Sequence, residues 1–279
     1  MVRSRVNWKG SCVVSTITDV GETEHVVARA GVKSSIRTLE ILETLSKSNE
    51  KKSVATLSRA LNIPKSSLHG LLRTMEASGW LETDATGTMF GLGLRALILG
   101  NAYIESDDIV GMAQPVLDSL AELTGETVHL GRLDGEDIVY LAKRESRHTL
   151  RLFSAVGRRL PAHATALGKA ILALLPDEEV DARLTFPLAA LTETTIVDKD
   201  ALHEELARIR AVGWSVDDGE NSPGIRCIGV ALTSRGGSLN ALSCSVPASR
   251  MTDERERAII GHLRDSALML DSLVARLRS

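Results

Sequence analysis

The fold of the N-terminal part is decided by residues 53–91, which read SVATLSRALNIPKSSLHGLLRTMEASGWLETDATGTMFG. Ser53 is a suitable N-cap for a helix. The dipeptide Ile63-Pro64 ends that helix, because the residue before a proline is pushed out of helical geometry. Another helix follows at once, since apolar residues recur between positions 68 and 75 at the spacing of one helical face. Gly79 is placed to end it.

A hairpin and a preceding helix complete this part of the chain. Short strands at 80–83 and 88–91 flank the turn at 84–87. Apolar residues at helical spacing predict a first helix over 34–48. Three helices followed by a hairpin, with a tight connection between the second and third, predict a winged helix-turn-helix over residues 32–92.

The polar face of the third helix is suited to DNA. In a helix-turn-helix the second of the paired helices lies in the major groove and leads with its N-terminal residues. Lysine, arginine, serine and histidine donate hydrogen bonds to phosphates and base edges. We predict contacts with double-stranded DNA from this face, from the tip of the wing and from the first helix: Ser34, Arg37, Lys65, Ser66, Ser67, His69, Arg73, Thr86 and Gly87.

Composition sets the limits for the whole chain. Its 279 residues are enough for two domains, and 43% hydrophobic and 25% charged residues are ordinary globular values. Aromatic residues make up only 3%, which argues against a base-stacking surface for single-stranded nucleic acid. Residues 31–92 contain eight Lys or Arg and six Asp or Glu, so this segment is mildly basic within a chain of net charge −3. That asymmetry is typical of a DNA-binding domain joined to an acidic body.

The remaining segments near the N-terminus have less defined patterns. Residues 1–31 lack periodicity and are predicted to be a mostly disordered leader, with a basic arm touching DNA as the alternative. Residues 93–106 predict a linker helix whose apolar surplus suits either a dimer contact or packing on its own domain. No run is apolar enough for a membrane span or a signal peptide, so we expect a cytoplasmic protein.

Strands and helices alternate through residues 107–279, the predicted effector-binding domain. The connections favour an α+β fold around one mostly antiparallel sheet. The predicted strands are 127–133, 137–142, 150–155, 213–217, 226–232 and 238–245. The predicted helices are a long one from about 107 to 123, closed by Gly125, and then 165–175, 177–184, 199–211 and 252–277.

Polar groups in this part suggest a ligand site. Thr165 is a good N-cap, and a helix that begins there presents backbone N–H groups that favour a carboxylate. Asp217 ends a strand before an acidic loop, which suits a cation, a hydroxylated ligand or simple solvation. Strand alternation puts Ser243 and Ser245 on one face and Cys244 on the other.

Two stretches resemble the IclR-type transcriptional regulators. They are VKSSIRTLEIL at 32–42 and IPKSSLHGLL at 63–72, the latter followed by Gly79-Trp80. The resemblance extends to residue 276. It implies a winged helix domain, a linker helix, a GAF-like sensor domain, and dimers that pair into tetramers. One departure is Gly70, where the family usually has Arg or another large residue, so relatives' operator sequences do not transfer.

The resemblance also implies a sensor pocket for a small organic acid. Backbone N–H groups of Ala166 and Leu167 would take the carboxylate, and Asp217 and the serines would take hydroxyl or keto groups. Ala166 stands where some relatives have Gly, which implies a tighter pocket mouth. Segments 126–131 and 150–159 look closest to regulators of sugar-acid catabolism of the 2-keto-3-deoxygluconate type. The pocket residues implied are Leu152, Leu160, Ala166, Leu167, Asp217, Ile225, Cys227, Ser243 and Ser245.

Two other functions fit parts of the sequence. An enzyme acting on a small acid would use Cys227 or Cys244 as nucleophile, although neither has a His or Asp nearby in sequence. A DNA-binding oligomer without a ligand would have a fully packed C-terminal core. Because the three cysteines form no CxxC pair and no His lies at metal-ligand spacing, neither a metal nor a cofactor is expected.

Overall fold

The fold was taken from a computed structural model, which describes residues 31–48, 50–152, 154–233 and 239–276. The predicted leader, residue 31 apart, lies outside the described residues. So do residue 238 of the last predicted strand and residue 277 of the last predicted helix.

The N-terminal part has three helices and a three-stranded antiparallel sheet of order β1-β3-β2. Ser53 Oγ accepts the N–H of Thr56 at 3.2 Å, so the predicted cap is confirmed. The apolar faces of the helices pack together around Leu57, Leu68 and Leu72. Polar residues occupy the opposite faces of the helices. The elements are α1 Lys33–Ser46, β1 Lys52–Ser53, α2 Val54–Ala60, α3 Lys65–Ala77, β2 Leu81–Thr83 and β3 Met89–Leu92.

Two consecutive helices, α4 (Leu94–Glu105) and α5 (Asp108–Thr124), lead from the wing to the larger sheet. The Asp107 side chain caps α5 by accepting the N–H groups of Ile109 and Val110. Gly125 ends α5 with φ of 68°, a left-handed conformation that glycine adopts without strain. No helix in the described part of the chain is both long and apolar enough to cross a membrane.

The C-terminal part is built on a six-stranded antiparallel sheet of order β6-β5-β4-β9-β8-β7. This arrangement confirms the predicted α+β fold with an antiparallel sheet. The strands are β4 Thr127–Asp134, β5 Asp137–Arg144, β6 Arg159–Pro161, β7 Ser215–Asp218, β8 Ile225–Ala231 and β9 Asn240–Pro247. The helices are α6 Ala166–Leu172, α7 Asp177–Arg183, α8 Lys199–Val212 and α9 Asp253–Arg276, with short 3₁₀ turns at Ala162–Ala164 and Ala248–Arg250.

The two faces of this sheet carry different layers. Helices α5 and α9 cover one face of the sheet and bury the strand residues Leu130, Leu242 and Cys244. Helices α6, α7 and α8 belong to the layer on the other face, whose buried residues include Ile138 and Tyr140. Because successive strand residues point to opposite faces, Ser243 and Ser245 lie on the second face.

The predicted strand at 150–155 is wrong. No described residue of that stretch is in a strand, and the edge strand β6 begins only at Arg159. Gly157, with φ of 83°, turns the chain so that Tyr140 N donates to Arg158 O and Gly157 N donates to Tyr140 O. Leu150 and Leu152, which suggested a strand, lie outside any strand; Leu150 is exposed and Leu152 is half-buried. The short strand β1 is not predicted from sequence, because its only support is pairing with β3.

Candidate functional site

The polar face of α3 is open to solvent. Lys65, Ser66, Ser67, His69 and Arg73 are all exposed, whereas the opposite face of the helix is buried. Pro64 precedes the helix and supplies no side-chain cap, so the N–H groups of the first turn are not taken by a capping side chain. The arrangement can present cations, hydroxyls and a helix N-terminus to a phosphate backbone.

The wing is tied to α3 by Arg73. Its guanidinium forms an ion pair with Glu76 at 2.7 Å, donates to the carbonyl of Gly87 at 3.3 Å and lies 5.7 Å from the centre of the Phe90 ring. The predicted wing-tip residue Thr86 is exposed and bonds to the Asp84 carboxylate. Arg73 therefore orients the wing, and its side chain is still about half exposed.

Two other predicted DNA-binding positions lie on α1. Ser34, in the first turn of α1, is exposed, and Arg37 is half-buried. A side chain added at Gly70 would meet nothing within 4 Å, so the glycine leaves a gap in the exposed face of α3.

All nine residues of the predicted sensor pocket border one cavity, on the sheet face that α6 covers. The cavity is narrow, with a volume of about 20 Å³, and it opens to solvent. Its walls come from the five strands β5 to β9, from the start of α6 and from two loops. The lining residues are Tyr140, Leu152, Leu160, Thr165, Ala166, Leu167, Asp217, Asn221, Ser222, Ile225, Cys227, Ser243 and Ser245.

Two glycines allow α6 to lie against this wall. A side chain at Gly168 would overlap the backbone of Ala162, and one at Gly229 would overlap the backbone of Ala166. The Thr165 hydroxyl caps α6 by accepting the N–H of Gly168 at 3.0 Å, as predicted. The helix start is consequently fixed against β8.

Asp217 is the acidic group of the cavity. Its Oδ1 accepts the N–H of Glu220 at 2.7 Å and that of Asn221 at 3.3 Å, which fixes the loop after β7. Burial, followed by the nearby Glu220 carboxylate, raises the pKa of Asp217 to about 6. The carboxyl can thus accept a hydrogen bond when ionised or donate one when protonated.

A buried ion pair holds the same loop from behind. Lys169 of α6 is 1% exposed, and its ammonium donates to the Glu220 carboxylate and lies 3.8 Å from Glu205. The Thr195 hydroxyl donates to the carbonyl of Glu220 at 2.7 Å. Glu220 is therefore committed to Lys169, and Asp218 to Arg226. No group of three side chains that could hold a metal ion occurs among the described residues.

Comparison with known families gives the identity of both parts. The IclR helix-turn-helix domain matches residues 34–85. The C-terminal domain of the bacterial transcriptional regulator IclR matches residues 101–272, more than half of the chain. The chain belongs to the IclR family.

Relatives in the family align over most of their length. The chain is 36% identical to the HTH-type transcriptional repressor AllR of Klebsiella pneumoniae over 230 residues, 82% of this chain and 85% of that protein. It is 32% identical to the HTH-type transcriptional regulator XynR of Escherichia coli K12 over 241 residues, 86% and 96% of the two chains. The crystal structure of RHA06195 from Rhodococcus sp. RHA1 is 30% identical, covers 88% of this chain and 100% of its own, and has a TM-score of 0.76. The predicted IclR fold is confirmed.

Membership of the IclR family contradicts the cysteine-enzyme alternative, because the relatives are named as transcriptional regulators and repressors. The cysteines themselves are unsuited to nucleophilic chemistry. Burial raises the pKa of Cys227, and burial raises that of Cys244 to about 12. Cys244 lies on the sheet face opposite the cavity, and the Cys227 thiol donates to Ser245 Oγ at 3.2 Å. This IclR-family chain is a DNA-binding transcription regulator rather than an enzyme.

Four residues that line the cavity are absent from the predicted pocket. Thr165 is recognised in the sequence only as a cap, and Asn221 and Ser222 only as members of the loop after Asp217. Tyr140 has no local sequence signal, because it reaches the cavity through pairing of β5 with β4 in the folded IclR sensor domain.

Proposed function

We propose that this regulator binds a small organic acid in the cavity on the sheet, and that the bound acid controls its affinity for a DNA operator. The observation that carries the proposal is the convergence of nine residues, implied by the family resemblance, on one mostly apolar cavity with several polar groups in its wall. Ligand sites are typically concave and largely apolar, with a few polar groups that fix orientation. The polar groups in the cavity wall favour this function over a DNA-binding oligomer with a dry, fully packed core.

Unpaired polar groups support a carboxylate ligand. Among the described residues, the backbone N–H groups of Ala166 and Leu167 find no hydrogen-bond acceptor, although both residues are at least 98% buried. The Ser243 hydroxyl belongs to a residue that borders the same cavity. Because buried polar groups are normally satisfied, a bound acid is the natural partner, with Asp217 taking a hydroxyl or keto group. Sugar acids belong to this chemical class.

DNA binding is assigned to the α3 face and the wing. Lys65, Ser66, Ser67 and His69 would meet the major groove, and the first helix and the wing would meet the flanking backbone. Their exposure supports this assignment, as does the mild excess of basic residues in the segment. The remaining proposed contacts are Ser34, Arg37, Arg73, Thr86 and Gly87.

A contact between the linker helix and the sheet would couple the two sites. Arg132 of β4 donates to the Tyr103 hydroxyl of α4 at 2.9 Å and to the Asp107 carboxylate at 2.5 Å. Its Nε donates to the Asn240 side chain at 2.9 Å. Asn240 begins β9, the strand that carries Ser243 to the cavity. An acid that shifts β9 would change the position of α4 and hence the equilibrium between DNA-binding arrangements.

The linker helix also supports a homo-oligomer. Four apolar residues of α4 are at least 60% exposed: Leu94, Leu97, Ile98 and Leu99. An apolar surface of this kind marks an interaction site. We propose that α4 pairs with α4 of a second copy of the chain. This helix belongs to the linker at 93–106, which joins the winged domain at 32–92 to the effector domain at 107–279. The resulting dimers or tetramers would act in the cytoplasm, where operator DNA lies.

The acid-binding half is tested by thermal shift of the full chain against carboxylic and sugar acids. A ligand raises the apparent stability of the native state, so we expect at least one acid to raise the Tm. Asp217→Ala should reduce that rise. Asp218→Ala is the matched control, because its side chain is exposed and paired with Arg226. An undiminished rise in Asp217→Ala would place the acid elsewhere.

The DNA-binding half is tested by measuring the affinity of the protein for genomic DNA fragments that have been enriched by binding to it. The logarithm of the association constant should fall linearly with the logarithm of the salt concentration. Lys65→Ala should weaken binding and reduce the slope by about one. Lys199→Ala, a lysine of α8 paired with Asp181, is the control. An equal effect of the two variants would contradict the assignment of the α3 face.

A further inference from the structure

The Tyr140 hydroxyl is the one lining group of the cavity whose position is fixed by an aromatic stack. The Tyr140 side chain is about 95% buried and borders the cavity. Its hydroxyl neither donates nor accepts a hydrogen bond within the described part of the chain. A buried tyrosine hydroxyl ordinarily has a partner, and the cavity that Tyr140 borders offers room for one.

The ring is held in place by His129. The two rings stack with their centres 4.3 Å apart and their planes 16° from parallel. His129 is fully buried, and its Nε2 is 2.8 Å from the Ser154 hydroxyl. Burial, followed by the charge of Lys143, lowers the pKa of His129 to about 3, so the imidazole is neutral and stacks as an apolar ring. The hydroxyl of Tyr140 is therefore presented at a fixed position, as a recognition group requires.

The hydroxyl acts as a donor rather than as an anion. Burial, followed by the nearby Cys227, raises the pKa of Tyr140 far above neutral pH, and the Asp217 carboxyl adds to this effect. Asp217 and Tyr140 thus border the same space but present opposite hydrogen-bonding characters when Asp217 is ionised. A ligand that satisfies both carries an acceptor oxygen in addition to the carboxylate assigned to the start of α6.

We infer that Tyr140 is a specificity-determining residue of the cavity, whose hydroxyl donates a hydrogen bond to a second oxygen of the bound acid. The inference rests on the proposed function and narrows it. The preferred ligands are oxo or hydroxy carboxylic acids, and plain carboxylic acids of the same skeleton bind less well. An unsubstituted acid leaves the Tyr140 hydroxyl without a partner, and this lowers its affinity relative to the oxygenated acid.

The test measures calorimetric affinities for matched acid pairs that differ by one or more oxygens: pyruvate and propanoate, gluconate and hexanoate, 4-hydroxybenzoate and benzoate. The wild-type full chain should bind the oxygenated member of at least one pair more tightly. Tyr140→Phe keeps the ring and its stack on His129. For that pair it should weaken the oxygenated acid by about tenfold and leave its plain partner unchanged. The Tm without ligand should stay the same, because the hydroxyl has no partner to lose.

The outcomes separate the two proposals. An equal effect of Tyr140→Phe on both members of the pair, or no effect on either, overturns the role of the hydroxyl and leaves the acid-binding cavity intact. If the wild-type chain binds plain acids as tightly as oxygenated ones, the role of the hydroxyl is also overturned. If the wild-type chain binds none of the six acids, the proposed function fails for these ligand classes and the inference fails with it.

Discussion

The exposed face of α3 and the cavity on the sheet use polar side chains in opposite ways. The side chains of Lys65 and His69 are exposed to solvent, so they add little to the stability of the fold and can contact an external partner. Lys169 and Asp217 are buried, and each is held by groups on a different element or loop. A surface that reads a phosphate backbone tolerates mobile charges, whereas a cavity that discriminates small acids needs groups fixed before the ligand arrives.

The largest expected difference between the two regions comes from the same substitution, Lys to Met, made once in each. Lys169→Met leaves Glu220 buried without its cation, and we expect it to lower the free energy of unfolding by about 3–5 kcal/mol. Lys65→Met removes an exposed charge and should change it by less than about 0.5 kcal/mol. Urea denaturation of both variants measures the difference. Equal, small losses would mean that the buried pair contributes no more than a surface lysine.

A rescue variant shows whether the loss comes from the unpaired acid. Lys169→Met combined with Glu220→Leu removes both charges, and replacing a buried pair with apolar residues is often close to neutral. The double variant should regain most of the lost stability. A double variant as unstable as Lys169→Met would attribute the loss to packing of the lysine stem instead.

A pH titration should reveal the burial of Asp217. Its pKa is raised from 3.8 to about 6 in the native state, so its stabilising contribution is fully present below pH 3.8 and lost as the pH rises through 6. The loss amounts to about 3 kcal/mol. The free energy of unfolding of Asp217→Asn, relative to wild type, should therefore increase between pH 4 and pH 7.

The comparison with Asp217→Asn is needed because His129 acts in the opposite direction. Its pKa is lowered to about 3, so its contribution is lost as the pH falls from 6.5. Chemical denaturation at several pH values, with Asp218→Asn as the exposed control, isolates the contribution of Asp217. A pH-independent difference between Asp217→Asn and wild type would contradict the raised pKa.

Two glycines should respond to alanine substitution with opposite signs, and the smaller of the two effects is the smallest expected here. Gly168→Ala places a methyl group against the backbone of Ala162, and overpacking of this kind costs about 1–3 kcal/mol or more. Gly70→Ala has open space around it in a helix and should stabilise the chain by up to about 1 kcal/mol. Thermal unfolding of the two variants checks both signs. A stabilised Gly168→Ala would show that α6 can move away from the sheet.

The sequence by itself determined the elements whose signals are local. The Ser53 cap, the Ile63-Pro64 break and the periodicity of α3 predict the helix-turn-helix, because each depends on residues within one or two helical turns. Strand alternation likewise separates Ser243 and Ser245 from Cys244. The residues of the cavity wall were predicted mainly from the resemblance to a family.

Only the tertiary structure decided the features that depend on long-range pairing. The segment before Gly157 has the apolar pattern of a strand, but the chain pairs with β5 only after the turn, in β6. Its apolar residue Leu152 borders the cavity instead. Tyr140 becomes a cavity residue because β5 pairs with β4 and brings the ring over His129. The pairing of Lys169 with Glu220 joins positions 51 residues apart. Local patterns cannot encode such contacts, since their free energy arises from burial of the assembled sheet.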